Sequence, residues 1–186
     1  LLEKGIPYTK GDFLSKSFIK NFASCDYTIP IHYNSYNENI FQPIIDNNLL
    51  KTKNKDNGFI LIYLPYISNN YIIEQVSKIP NIKFRIYTNK ENITINNIQI
   101  RTINSLKFKE DLSKCSGIIT NSGFSTTSEA LVLNKKLWSI PVKRHFEQQS
   151  NATALNAMGI FTEDFNLNNL NKWLFEYDNI KYNWVN

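Results

Sequence analysis

The chain has 186 residues, 42% of them hydrophobic, enough to bury a core; this is one full domain, or one domain plus part of another. Its formal net charge is +5, but the Lys and Arg residues are dispersed, with no run of five cations and no arginine-rich arm, which argues against nucleic-acid binding. Cys25 and Cys115 stand far apart and outside any CxxC pair, and His32 and His145 are the only imidazoles, so a disulfide framework, a structural zinc site and a histidine metal cluster are all disfavoured, and two reduced, buried thiols are expected.

No apolar run approaches the roughly 20 residues needed to span a bilayer. The chain opens on Leu1-Leu2-Glu3-Lys4, with neither a starting Met nor a signal-peptide pattern, and this reads as an N-terminal truncation or fragment. The expected location is cytoplasmic, at most peripheral to the inner face of a membrane. Residues 12–23 have the spacing of a helix, 27–31 read as an apolar strand, and 33–39 are polar, lack periodicity and read as a linker. A second polar break, 51–58, precedes a continuous apolar run at 59–64, the mark of a strand buried on both faces. Similar runs lie at 82–87, 98–103, 117–120 and 137–140. Helical spacing falls between and after them, at 71–79, 106–115, 127–133 and 148–158. Strands alternating with helices predict βαβ units, hence a mostly parallel, Rossmann-like α/β sheet with helices on both faces. Residues 167–177 read as an amphipathic helix with Leu170, Trp173 and Leu174 on one side, followed by a tail whose Tyr182 and Trp184 are expected to pack.

The chemistry concentrates between Cys115 and Leu131. There a buried strand leads through a Ser-Gly turn into a helix start rich in hydroxyls. A helix N-terminus has unpaired N–H groups and the positive end of the dipole, and so attracts phosphate. Gly123 permits close backbone approach, and Ser122, Ser125, Thr126 and Thr127 carry hydroxyls that can donate to phosphate oxygens. Such a site lies beyond the carboxyl end of a strand, where open α/β sheets bind ligands. A competing reading is purely local: Thr126-Thr127-Ser128-Glu129 fits a capping box, with the helix starting near Thr126 and Glu129 in its first turn.

The following residues add a strand, Pro141, a basic loop (Lys143, Arg144), His145, and Phe146-Glu147-Gln148-Gln149 leading to Asn151-Ala152. This order resembles the C-terminal domain of the GT-B glycosyltransferases of family 28 and family 1, the MurG-like enzymes. It is closest to a subgroup with the pattern SGF-x-T-x-SEAL … IP … FEQ-x-x-NA-x-x-L-x-x-xG. Ser122-Gly123-Phe124, Thr126, Ser128-Glu129-Ala130-Leu131, Ile140-Pro141, Phe146-Glu147-Gln148, Asn151-Ala152, Leu155 and Gly159 match it. The strand at 62–64 and the helix at 108–115 extend the resemblance, which covers most of residues 44–165.

The resemblance implies a nucleotide-diphosphate-sugar donor, UDP-linked, held without a metal or a further cofactor. Glu129 would hold the ribose hydroxyls. Ser122, Gly123, Phe124, Ser125, Thr126 and Thr127 would form the diphosphate turn. Glu147 and Gln148, with Gln149 a further candidate, would meet the donor sugar or its neighbouring hydroxyls, and Phe146 adjoins them; read from the loop itself, Arg144 could neutralise diphosphate charge, and His145 could hydrogen-bond a sugar hydroxyl or equally be a plain loop histidine. It also implies a division into residues 1–41, the remnant of an acceptor-side domain with its linker; 42–165, the nucleotide-sugar-binding domain; and 166–186, a helix and tail packing back toward that first domain. The missing domain or a partner subunit would supply the catalytic base, and a lipid-linked acceptor at a membrane surface would suit the family. Two departures stand out: the turn at 64–69 has no Gly, and Asn134 stands where the helix usually ends on Gly, a conservative change because Asn tolerates left-handed geometry. Lys143 and Arg144 could equally be a solvated basic loop, and Tyr63, Tyr66 and Phe124 core or pocket wall. Two rival functions share the frame: a UDP-sugar 2-epimerase, and a non-catalytic nucleotide-binding subunit of a split glycosyltransferase.

Overall fold

Five apolar runs form one parallel sheet, and a short sixth strand joins its edge. The computed structural model describes residues 5–7, 26–52 and 54–183. The strands are β1 (Phe59–Tyr63), β2 (Lys83–Thr88), β3 (Ile93–Ile95), β4 (Ile98–Thr102), β5 (Gly117–Asn121) and β6 (Lys136–Ile140). Their order is β3-β4-β2-β1-β5-β6, with every pairing parallel except the β3–β4 hairpin. The hairpin was not foreseen. Its turn is Asn96-Asn97, where Asn96 takes the left-handed φ of 50° that Asn tolerates better than most residues. Asn97 Nδ2 donates to the carbonyls of Ile79 and Ile82, at 3.0 and 2.6 Å, which anchors the turn.

The helices are α1 (Asn47–Lys51), α2 (Asn69–Ser77), α3 (Ser105–Lys114), α4 (Phe124–Val132), α5 (Phe146–Ala157) and α6 (Leu167–Phe175). They divide between the faces as the strand alternation requires. Leu61, Ile118 and Leu137 point into a core shared with Leu112 of α3, Ala130 and Leu131 of α4 and Leu155 of α5. Ile60, Ile62, Ile119 and Trp138 point the other way, onto Ile72 and Val76 of α2 and Leu170 and Trp173 of α6. Burial on both sides explains why the central strands read as continuous apolar runs.

One expectation for the N-terminal part is corrected. The strand expected at 27–31 is reduced to one bridge, Ile31 to Phe41, with Tyr27 and Ile29 exposed (92% and 76%) and no strand beside them among the described residues. The polar stretch 33–39 runs without helix or strand, and Tyr33 at its start is buried, next to buried His32. Tyr33 packs against Phe124 at the head of α4, ring centroids 4.9 Å apart, and shares a 2.8 Å hydrogen bond with the Thr127 hydroxyl. At the other end of the chain Tyr182 is buried, as expected, and its hydroxyl donates to the Tyr33 carbonyl. Cys115 is buried as expected. The helix expected at 12–23, Cys25 and Trp184 lie outside the described residues.

Candidate functional site

The sheet order reverses at β1. From there the chain builds outward through β2 and β4, then returns to place β5 on the other side of β1, and β6 beyond it. The carboxyl ends of β1 and β5 therefore flank the crevice where such sheets bind ligands. A cleft of about 440 Å³ lies at these strand ends, lined by Tyr66 and Ile67 after β1, Asn121 of β5, Ile140, Pro141, Val142 and Lys143 around the end of β6, and Asp164 and Phe165.

α4 starts beside it. Its N-cap is Gly123, with no side-chain cap, so the helix begins three residues earlier than a capping box at Thr126 would place it. That expectation is corrected: Thr126 is the third helical residue, and Glu129 lies in the second turn. The first-turn N–H groups keep no intrahelical acceptor, as at any helix start. Asn134 closes the helix in left-handed geometry, φ 51°, as its sequence position implied.

The hydroxyls of the turn divide into two sets. Ser122 is fully buried, its hydroxyl 2.8 Å from that of Ser139, and its carbonyl accepts from Asn151 Nδ2 at 3.0 Å. Thr127 is buried too, and its hydroxyl donates to the Gly123 carbonyl at 2.8 Å besides meeting Tyr33. These two side chains hold the turn in shape. Ser125 is exposed and Thr126 half-buried, so theirs are the hydroxyls that solvent reaches at the helix mouth. Gly123 has open space around it, since an added Cβ would meet nothing within 4 Å.

Glu129 is half-buried, its side chain 15% exposed, with Lys109 Nζ 3.6 Å away. Lys109 also pairs with Asp46 at 2.9 Å. Burial pushes the Glu129 carboxyl above the ordinary carboxylate range, and Lys109 opposes that only in part.

The loop between β6 and α5 is shaped by its own side chains. Arg144 takes a left-handed φ of 63°, a conformation that L side chains rarely adopt. His145 is the N-cap of α5, its Nδ1 accepting from the Gln148 N–H at 3.4 Å. Gln148 is buried and accepts from the Val142 N–H at 3.2 Å, so it braces the loop. Lys143, Arg144 and Glu147 are exposed, and Phe146 and Gln149 half-buried. Tyr66 is cleft wall, Tyr63 packs edge-on against Phe108, and Phe124 joins an aromatic cluster with His32 and Tyr33. The sequence centred the donor site on residues 121–149 but gave no role to Asn121 or Ser139, and it did not single out Lys109 or Tyr33. Of these only Asn121 adjoins the Ser-Gly turn and could have been marked from its place at the end of a strand.

The profile of the family described as glycosyl transferase family 1 matches residues 13–177. The chain belongs to that family. Among solved structures, the glycosyltransferase SnogD from Streptomyces nogalater is 17% identical with a TM-score of 0.51, over 82% of this chain and 43% of its own. The glycotransferase of kitacinnamycin is 13% identical with a TM-score of 0.53, over 75% of this chain and 41% of its own. At such identities the likeness establishes the shared fold, the Rossmann-like domain of the GT-B glycosyltransferases. This family 1 chain spans less than half the length of the structures it matches. No curated protein matches it by sequence. No helix among its described residues is long and apolar enough to cross a membrane.

Proposed function

We propose that this chain forms the donor-binding part of a glycosyltransferase that moves a sugar from a nucleoside-diphosphate sugar, UDP-linked, to an acceptor. The observation that carries the reading is the start of α4: a glycine-capped helix N-terminus, free of any side-chain cap, opening beside a cleft at the point where the strand order reverses. The diphosphate belongs there, on the first-turn N–H groups and the Ser125 and Thr126 hydroxyls. Glu129 accepts from the ribose hydroxyls. Glu147, Gln148 and Gln149 border the donor sugar, and Lys143 and Arg144 offset the charge of the departing diphosphate. Catalysis in this arrangement comes from placing the donor and stabilising its leaving group. The acceptor, a lipid-linked one at a membrane surface, and the base that activates it belong to a further domain or partner subunit. No residue of this chain is assigned that role, and no metal or other cofactor is invoked.

The test is thermal denaturation with UDP, other nucleoside diphosphates and uridine. At ten times its Kd a ligand stabilises the native state by about 1.4 kcal/mol, or about 3–6 °C for a chain of this size. UDP should produce that shift and uridine should not. If no nucleoside diphosphate moves the transition at millimolar concentration, the proposal fails.

A further inference from the structure

Asn121 ends β5 and is only 8% exposed. Its Nδ2 donates to the Ile140 carbonyl at 3.0 Å. A carbonyl oxygen only accepts, so this contact settles which way the amide faces. The other end, Oδ1, is buried and has no hydrogen-bond partner among the described residues. Buried amide oxygens are seldom left unpaired in folded proteins, and Asn121 lines the 440 Å³ cleft.

We propose that Asn121 is a specificity-determining residue that accepts a hydrogen bond from a hydroxyl of the transferred sugar, which makes the strand-end cleft the hexose subsite. This rests on the donor reading above. Phosphate oxygens at neutral pH accept and do not donate, so an amide oxygen is a poor neighbour for the diphosphate and a good one for a polyol. Asp164 lines the same cleft and adds a second acceptor, and Tyr66 gives it a ring wall. The diphosphate then stays at the first turn of α4, within reach of Lys143 on the cleft rim, and the sugar reaches back over the end of β5, its far side toward the start of α5, which carries Glu147, Gln148 and Gln149. Because Oδ1 is buried, the contact requires the cleft rim to shift when the sugar binds.

Affinities for UDP, UDP-glucose, UDP-galactose and UDP-N-acetylglucosamine, measured by calorimetry on the 186-residue chain, test this together with melting curves for Asn121→Ala and Asn121→Asp. The alanine variant should lose about 3- to 10-fold in affinity for the UDP-sugar that wild type prefers, the range for one neutral hydrogen bond, with UDP binding unchanged. The aspartate variant keeps an acceptor but loses the donor to the Ile140 carbonyl, so it should melt lower yet retain the preference, and it carries the comparison if the alanine variant does not fold. Equal losses for UDP and UDP-sugar would place the contact on the nucleotide and overturn the proposal. So would a lower melting temperature of the alanine variant with both affinities intact, the signature of a purely structural amide, or wild-type binding of UDP without any of the UDP-sugars. Wild-type failure to bind UDP itself would refute the donor reading, a result distinct from these.

Discussion

Glu129→Gln separates ligand binding from helix stability in one substitution. The structure removes the capping role, because Gly123 opens α4 and Glu129 sits a turn further in. No cap is lost, and the roughly 0.5–2 kcal/mol that a lost cap costs should not appear. Burial raises the Glu129 carboxyl, so folding favours its neutral form. The stability tied to this group is fully present below the ordinary glutamate range and is lost as pH rises through the raised folded value. Gln does not titrate. The melting temperature of the variant minus that of wild type should therefore increase as pH rises from the ordinary glutamate range, about pH 4, through the raised folded value. Lys109 loses a contact at 3.6 Å but keeps Asp46 at 2.9 Å, so the loss on that side is small. Binding runs the other way. Hydrogen bonds from ribose hydroxyls to a charged acceptor contribute about 1.5–3 kcal/mol, so the variant should bind UDP about 10- to 150-fold more weakly. Calorimetry with UDP and 2′-deoxy-UDP gives the control, since the deoxy ligand lacks one of the hydroxyls and should lose less. A variant that binds UDP as wild type does would refute the ribose assignment.

The remaining predictions concern the scaffold. Asp111 is 4% exposed and holds Arg85 at 2.5 Å, Arg101 at 3.2 Å and the Tyr87 hydroxyl at 2.7 Å. Asp111→Ala leaves two guanidinium groups facing each other without their carboxylate. The expected cost is about 3 kcal/mol, the low end for a broken buried pair because both arginines reach solvent, or about 6–12 °C in melting temperature; a shift under about 2 °C would show that the cluster is not structural. Burial pushes the Cys115 thiol up to about 12. Iodoacetamide at pH 8 should leave it unmodified in the native protein and label it in denaturant, as read by peptide mass; rapid native labelling would contradict the burial.

What could be read in advance depended on how local its physics is. β1 was plain because five consecutive apolar residues fit only a strand covered on both faces. β3 was not, because Ile93 and Ile95 are exposed, and its one signal was the Asn96-Asn97 turn. The start of α4 was misplaced because Thr126 and Glu129 satisfy the spacing of a capping box, while a Gly that caps with its backbone leaves no side-chain signature. The apolar residues Tyr27, Ile29 and Ile31 read as a strand, yet an apolar stretch does not supply a partner strand. The Tyr33 contact with Thr127 spans 94 positions, and nothing in either neighbourhood announces it. At the candidate site, the motif marked a turn and a helix that the structure contains, but not which hydroxyls solvent would reach, because Ser122 and Thr127 are claimed by Ser139 and Tyr33 from elsewhere in the chain.

Tyr33 is gripped at both ends, its hydroxyl by Thr127 and its carbonyl by the hydroxyl of Tyr182, while Gln42 Nε2 reaches the Asn183 carbonyl at 3.3 Å. The incoming and outgoing segments of the chain are thereby riveted to each other and to the fourth residue of α4. Displacing Tyr33 therefore disturbs two distant partners together, the tail at Tyr182 and the first turns of the helix that starts beside the cleft.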